Sequence, residues 1–116
     1  MTRAWPRLLA LSFAAAASAA PELAVELKVD GVDFDDAQRP FIATVEVTIT
    51  NRAETKVQAC TVELKFLDAD GKAVMVRKHA LESLELAPGA DTVANFEDSD
   101  PPKSWNRTVA AVAKCH

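Results

Sequence analysis

"FIATVEVTITN", residues 41–51, is the stretch that decides the fold. Phe41, Ala43, Val45, Val47 and Ile49 alternate with Thr44, Glu46, Thr48 and Thr50. Apolar and polar residues trading places at every step, with many β-branched side chains, are the pattern of a strand with one buried face.

The same period runs outward on both sides. Upstream, "ELAVELKVD" (22–30) sets Leu23, Val25, Leu27 and Val29 against Glu22, Glu26, Lys28 and Asp30. Between the two strands, "DGVDFDDAQRP" (30–40) is rich in turn formers and reads as a loop. Downstream, "NRAETK" (51–56) is a polar connection, and "VQACTVELKFL" (57–67) places Cys60, Val62, Leu64 and Phe66 on one face. "AVMVRKHAL" is a weaker strand. "ESLELAPGA" (82–90) carries Leu84 and Leu86 into a Pro88-Gly89 turn, and "DTVANFE" (91–97) is a further strand. The paired prolines of "DSDPPKS" (98–104) exclude sheet interior. "WNRTVAAVAKC" (105–115) puts Trp105, Val109, Ala111, Ala113 and Cys115 on one face. Its alanines favour helix by propensity, but "WNRTV" leads in without a break, so a strand is expected. Six or seven strands at hairpin spacing predict an all-β fold, an antiparallel immunoglobulin-like β-sandwich.

The first residues have another purpose. In "MTRAWPRLLALSFAAAASAA", Arg3 and Arg7 precede an apolar run from Leu8 to Ala17, and Ala17-Ser18-Ala19 matches a small-x-small cleavage site. This is the pattern of a secretory signal peptide over residues 1–19. The apolar run is too short for a membrane span, which needs about 20 residues. Residues 20–116 then form one small domain. Loss of Arg3 and Arg7 leaves 11 basic residues against 17 acidic ones, a net charge of −6. Such a surface repels phosphate backbones and anionic lipid, so nucleic acid and membrane surfaces are poor partners.

An exported chain with two cysteines pairs them, so Cys60 and Cys115 are expected in one disulfide. The bridge either staples the core or ties adjacent strands. The competing reading is a metal site of Cys60, Cys115, His79 and His116. It lacks ligand spacing, and adjacent residues on a strand point to opposite faces. Without a C-x-x-C pair, disulfide exchange is not indicated.

The run "TITNRAETKVQACTVELKFLDADGKAV…LAPGADTVANF" resembles the bacterial extracytoplasmic β-sandwich domains of the FxLYD type. The residues that carry it are Val47, Ile49 and Asn51; Leu64, Phe66, Asp68, Gly71 and Lys72; and Leu86, Pro88, Gly89 and Phe96. The likeness covers most of residues 41–115. Leu64-Lys65-Phe66-Leu67-Asp68 stands where the family has Phe-x-Leu-Tyr-Asp, and the tyrosine is missing. The resemblance implies a sandwich fold and carries no catalytic residues.

"FLDADGKAV" (66–74) invites comparison with a calcium loop. With Gly71 at position 6 of an EF-hand, Phe66 falls at position 1 and Arg77 at position 12, both unsuitable. "DADG" is therefore expected to be a hairpin turn, with Asp68 capping locally and Gly71 supplying a positive φ. A broader calcium site is the alternative. If residues 73–86 run as one irregular length, three acidic loops meet at one pole. They hold Asp30, Asp33, Asp35 and Asp36, then Asp68 and Asp70, then Glu97, Asp98 and Asp100. The candidate ligands are Asp33, Asp35, Asp36, Asp68 and Asp70; no other cofactor is indicated.

Other chemistry is thin. Ser83, Ser99 and Ser104 sit in no nucleophile motif, and His79 and His116 are the only histidines. Met75 and Trp105 read as core residues. "NRT" (106–108) matches a glycosylation sequon by chance in a chain whose leader looks bacterial. The expectation is a non-enzymatic binding or accessory module of the bacterial envelope, periplasmic or secreted, with a protein or polymer partner.

Overall fold

The computed structural model describes residues 22–37 and 39–116. The signal-peptide reading of residues 1–19 lies outside the described residues. Those described form an antiparallel sandwich of six strands in two sheets, with no helix among them. The strands are β1 (Val25–Asp35), β2 (Ile42–Asn51), β3 (Cys60–Leu67), β4 (Ala73–Leu81), β5 (Asp91–Ser99) and β6 (Thr108–Cys115). One sheet has the order β1-β2-β5 and the other β4-β3-β6. In the lettering of an immunoglobulin-like sandwich, these are the A-B-E group and the C–F pair with an added strand beside C.

The central strands carry the core. Ala43, Val45, Val47 and Ile49 of β2 are fully buried, as are Val62, Leu64 and Phe66 of β3. The period-two reading of both strands places these residues inward. Val57, Cys60, Met75, Leu86, Phe96, Trp105, Val109 and Cys115 complete the buried cluster. The alanine-rich segment is strand β6, paired with β3 throughout.

One expectation needs correction, and the open choice between six and seven strands falls to six. The aspartate-rich stretch after Asp30 is not all loop, because β1 continues to Asp35. Between Val29 and Gly31 the register slips, leaving Asp30 as the extra residue of a bulge. The bulge inverts the parity, so Val32 and Phe34 rejoin Leu27 and Val29 on the inner face. Asp30 accepts a hydrogen bond from the Thr48 hydroxyl. Residues 82–90 form no strand of their own. They are held to residues 51–58 by the isolated bridge Val57–Leu86 and by single backbone bonds, Leu84 N–H to Gln58 O among them, rather than by a ladder. Ser83 and Glu85 take left-handed φ values of 61° and 53°, which curls a stretch whose alternation otherwise reads as strand.

The cysteines are bonded, with Cα atoms 4.0 Å apart. They are direct partners in the β3–β6 register, so the bridge ties adjacent strands within one sheet. Both sulfurs are thus unavailable for the four-residue metal site, and His79 is engaged elsewhere.

Strands β4 and β5 edge different sheets and do not pair. Across that gap His79 Nε2 lies 2.9 Å from Asp98 Oδ2, and the imidazole stacks on Phe96 at 4.7 Å. Asp98 is buried. It was expected in a solvated acidic loop, but β5 runs on to Ser99 and keeps Asp98 on the inner face with Phe96. Truncating His79 to alanine leaves that carboxylate without its partner, at a cost of about 1–3 kcal/mol. Asp98→Asn retains a hydrogen-bonding group and should cost less. Urea melts of the two variants measure the order; a milder His79→Ala would show that the pair does not bind the sheets together.

Candidate functional site

The described residues between Asp35 and Ile42, the turn of residues 68–72 and the loop of residues 100–107 meet at one pole. The strand registers require this, because Asp35, Ile42 and Ser99 end one sheet where Leu67, Ala73 and Thr108 end the other. Residues 73–86 pass down the sandwich as a single strand plus an irregular tail, which brings Asp36, Asp68, Asp70 and Asp100 to this pole, whereas Asp30 lies in the middle of β1 and Asp98 within β5.

The carboxylates there have separate occupations. Asp68 Oδ1 accepts from the backbone N–H of Asp70 and of Lys72, both at 2.9 Å. Gly71 has φ 81°, so "DADG" is the capped hairpin turn that the spacing implies. Asp70 is exposed in that turn. Asp33 and Asp35 stand on the outer face of β1, opposite Thr44 and Ile42. Asp36 lies 3.7 Å from the Arg107 guanidinium. Among the described residues, no group of three or more His, Cys, Asp or Glu side chains is arranged to hold a metal ion. With one carboxylate capping a turn and another beside an arginine, repulsion at the pole is already partly relieved. We expect millimolar calcium to raise the melting temperature no more than sodium at matched ionic strength. A calcium-specific rise, lost on replacing Asp33 and Asp35 with asparagine, would establish the metal site instead.

Aromatic side chains give the pole its shape. Trp105 is buried, with its indole N–H donated to the Thr108 carbonyl at 2.9 Å. Its ring meets Phe66 edge-on at 5.3 Å on the core side and Phe34 at 5.4 Å on the outer side. Phe34 in turn meets Phe41 at 5.8 Å. The ladder climbs from the core to the surface, where two guanidinium groups cover it. Arg39 Cζ sits 3.8 Å above the Phe41 ring and Arg107 Cζ 4.6 Å above Phe34. Such cation–π contacts are worth about 0.5–1 kcal/mol at exposed sites.

Beside this ladder lies a groove of about 270 Å³, walled by Phe34, Phe41, Trp105, Pro101 and Pro102 and rimmed by Asp36, Lys103 and Arg107. Apolar walls with a few polar groups at the rim are the ordinary make-up of a ligand site. Trp105 is the core anchor that its sequence position implied. Phe34, Arg39 and Arg107 were not singled out from sequence, and Phe41 was read only as an inner-face residue of the strand that in fact begins at Ile42. The available signal was Gly31, a residue that inside a strand pattern often marks a bulge. Restarting the alternation there would have turned Phe34 inward toward Trp105.

No family model, curated protein or solved structure matches the chain.

Proposed function

We propose that this protein is an exported, non-enzymatic binding or accessory module of the bacterial envelope, acting in the periplasm or outside the cell on a protein or polymer partner. The observation that carries the reading is the groove at the pole, where aromatic rings anchored in the core reach the surface beneath two arginines. Rigid rings on a sheet scaffold lose little conformational freedom when a ligand binds, and Arg offers planar, directional donors. Support for export comes from the leader pattern of residues 1–19 and from the Cys60–Cys115 bridge, a linkage that persists in oxidising compartments. Among the described residues no helix is long and apolar enough to cross a membrane. The resemblance to FxLYD-type domains belongs to the same proposal. Its alternative, a calcium-binding sandwich domain, is decided by the thermal comparison above.

The test is affinity capture from envelope extract, with wild-type protein beside a Phe41→Ser/Arg107→Glu variant. Wild type should retain a partner, and the variant should retain at least tenfold less while melting normally. Equal retention would move the binding surface away from the pole. Turnover of substrate by the isolated domain in a broad hydrolase screen would overturn the non-enzymatic reading.

A further inference from the structure

We infer that the free edge of β6 is a strand-docking site, which takes an extended polypeptide of a partner protein as a seventh strand. The inference rests on reading the chain as a binding module and specifies the chemistry of one partner. Among the described residues β6 pairs with β3 alone, so its other side is a sheet edge. Ala59 and His116 exchange two backbone bonds, His116 N–H to Ala59 O at 2.9 Å and Ala59 N–H to His116 O at 3.1 Å. In an antiparallel ladder, bonded pairs alternate with unbonded ones. The bonds to β3 therefore belong to Lys114, Val112 and Ala110, opposite Thr61, Glu63 and Lys65. Val109, Ala111, Ala113 and Cys115 aim their N–H and C=O groups the other way. Cys115 demonstrates that direction, because its carbonyl accepts the Leu23 N–H at 3.0 Å. Among the described residues nothing comparable reaches Val109, Ala111 or Ala113.

The other three edges carry the features that discourage pairing. β1 has a bulge and alternating charges, β4 has Arg77 and Lys78 at its middle, and β5 has Asp91 and Glu97. β6 has no charged residue from Thr108 to Ala113, and Val112 is 51% exposed on its outer face. An uncharged, unbulged edge with open backbone groups is a template for strand addition.

The side chains near the edge say what kind of strand fits. Ala111 and Ala113 are small and half-buried. β1, which packs against β6 across the sandwich, leaves Leu27, Val29 and Val32 half-buried. A seventh strand with large apolar residues at alternate positions covers that row. Lys114 and Arg107, at the two ends of the uncharged run, match carboxylates flanking the partner's apolar segment. A second copy of this chain is a poorer occupant. It offers only Val109 and the two small residues Ala111 and Ala113 to the row, and antiparallel pairing centred on Ala111 sets Lys114 of one copy opposite Thr108 of the other, next to Arg107.

The probe is a synthetic peptide, Asp-Val-Thr-Val-Thr-Val-Thr-Val-Asp, added to protein expressed from the full-length sequence and purified as the cell processes it. Amide hydrogen exchange at Ala111 and Ala113 should slow at least tenfold, while Ala110 and Val112, already bonded to β3, change little. Ala111→Pro removes an outward N–H without removing a β3 bond and should abolish the protection. Ala113→Lys, which places a charge at the edge, should do the same and serves if the proline variant misfolds. Absence of protection in wild type, or equal protection in Ala113→Lys, overturns the proposal. So does sedimentation of wild type as a dimer that Ala113→Lys dissociates, since the occupant is then a second copy. In capture from envelope extract, a partner held equally by wild type and Ala113→Lys rejects the β6 edge but leaves the binding module standing. Capture of nothing by wild type rejects the binding module itself.

Discussion

Replacing Cys60 and Cys115 together with alanine is expected to lower the stability of the domain by about 4 kcal/mol, the loop-closure value for the 55-residue separation of the two cysteines. The effect acts mainly on the unfolded chain, whose freedom the cross-link restricts. In the folded state β3 and β6 remain paired along eight residues without the bridge, so the fold should persist. A domain of this length has a total stability of about 5–15 kcal/mol, so the bridge is a large share of it. With a urea slope of about 1–2 kcal/mol per molar, the midpoint should fall by roughly 2–4 M. The slope itself should steepen, because an unlinked chain exposes more surface on unfolding. Denaturation with and without reductant measures both quantities on wild-type protein. Midpoints that coincide would mean that the bridge contributes nothing, and two free thiols in unreduced, unfolded protein would mean that it is absent.

The pairing of these cysteines was legible because the alternation in "ACTVELKF" and "TVAAVAKC" turns both inward. Which strands the bridge joins was not, because register between distant strands leaves no local mark. Elsewhere the reading failed where one residue changes the parity. Asp30 is such a residue: the bulge it forms returns Val32 and Phe34 to the core, so a stretch dominated by aspartates looks like loop. Asp98 failed in the opposite sense. Its charge argues for solvent, and only its place two residues beyond Phe96 puts it inside, where His79 meets it. Leu84 and Leu86 keep a strand-like spacing, yet left-handed backbone at Ser83 and Glu85 bends the segment out of the ladder. The groove at the pole depends on the first of these, since Phe34 comes from the re-phased end of β1 while Phe41 and Trp105 come from either side of loops. Composition alone marks none of these residues as neighbours.

Asn51 is the site of the other large expected effect. It ends β2 and is fully buried, which is unusual for an amide side chain. Its Nδ2 donates to the carbonyls of Leu86 and Thr55, each at 2.9 Å, and its Oδ1 accepts from the N–H of Ala53 at 2.8 Å. Its backbone also bonds the far segment, with N–H to Ala90 O at 2.9 Å and C=O from Gly89 N–H at 2.8 Å. One residue thus fastens the β2–β3 turn and the irregular stretch before β5 to the end of a core strand. Asn51→Ala removes the three side-chain bonds and keeps the backbone ones. The Leu86 carbonyl still accepts from Val57 N–H at 2.9 Å, so the loss falls chiefly on Thr55 O and Ala53 N–H. Thr55 is exposed and Ala53 half-buried, so water meets part of this loss, and the variant should lose about 1–2 kcal/mol. Asn51→Asp tests the assignment more sharply. It is nearly the same size and keeps the acceptor for Ala53. It replaces the donor with an oxygen facing two carbonyls, and it buries a charge. It should therefore be less stable than the alanine variant near neutral pH, against the intuition that a conservative change is milder. In acid the protonated carboxyl can donate to one carbonyl, so the deficit should shrink as pH falls and grow as pH rises. Urea melts of both variants across pH measure the order and its slope. If Asn51→Asp proved as stable as wild type at neutral pH, the amide could not be the donor that holds Leu86 and Thr55.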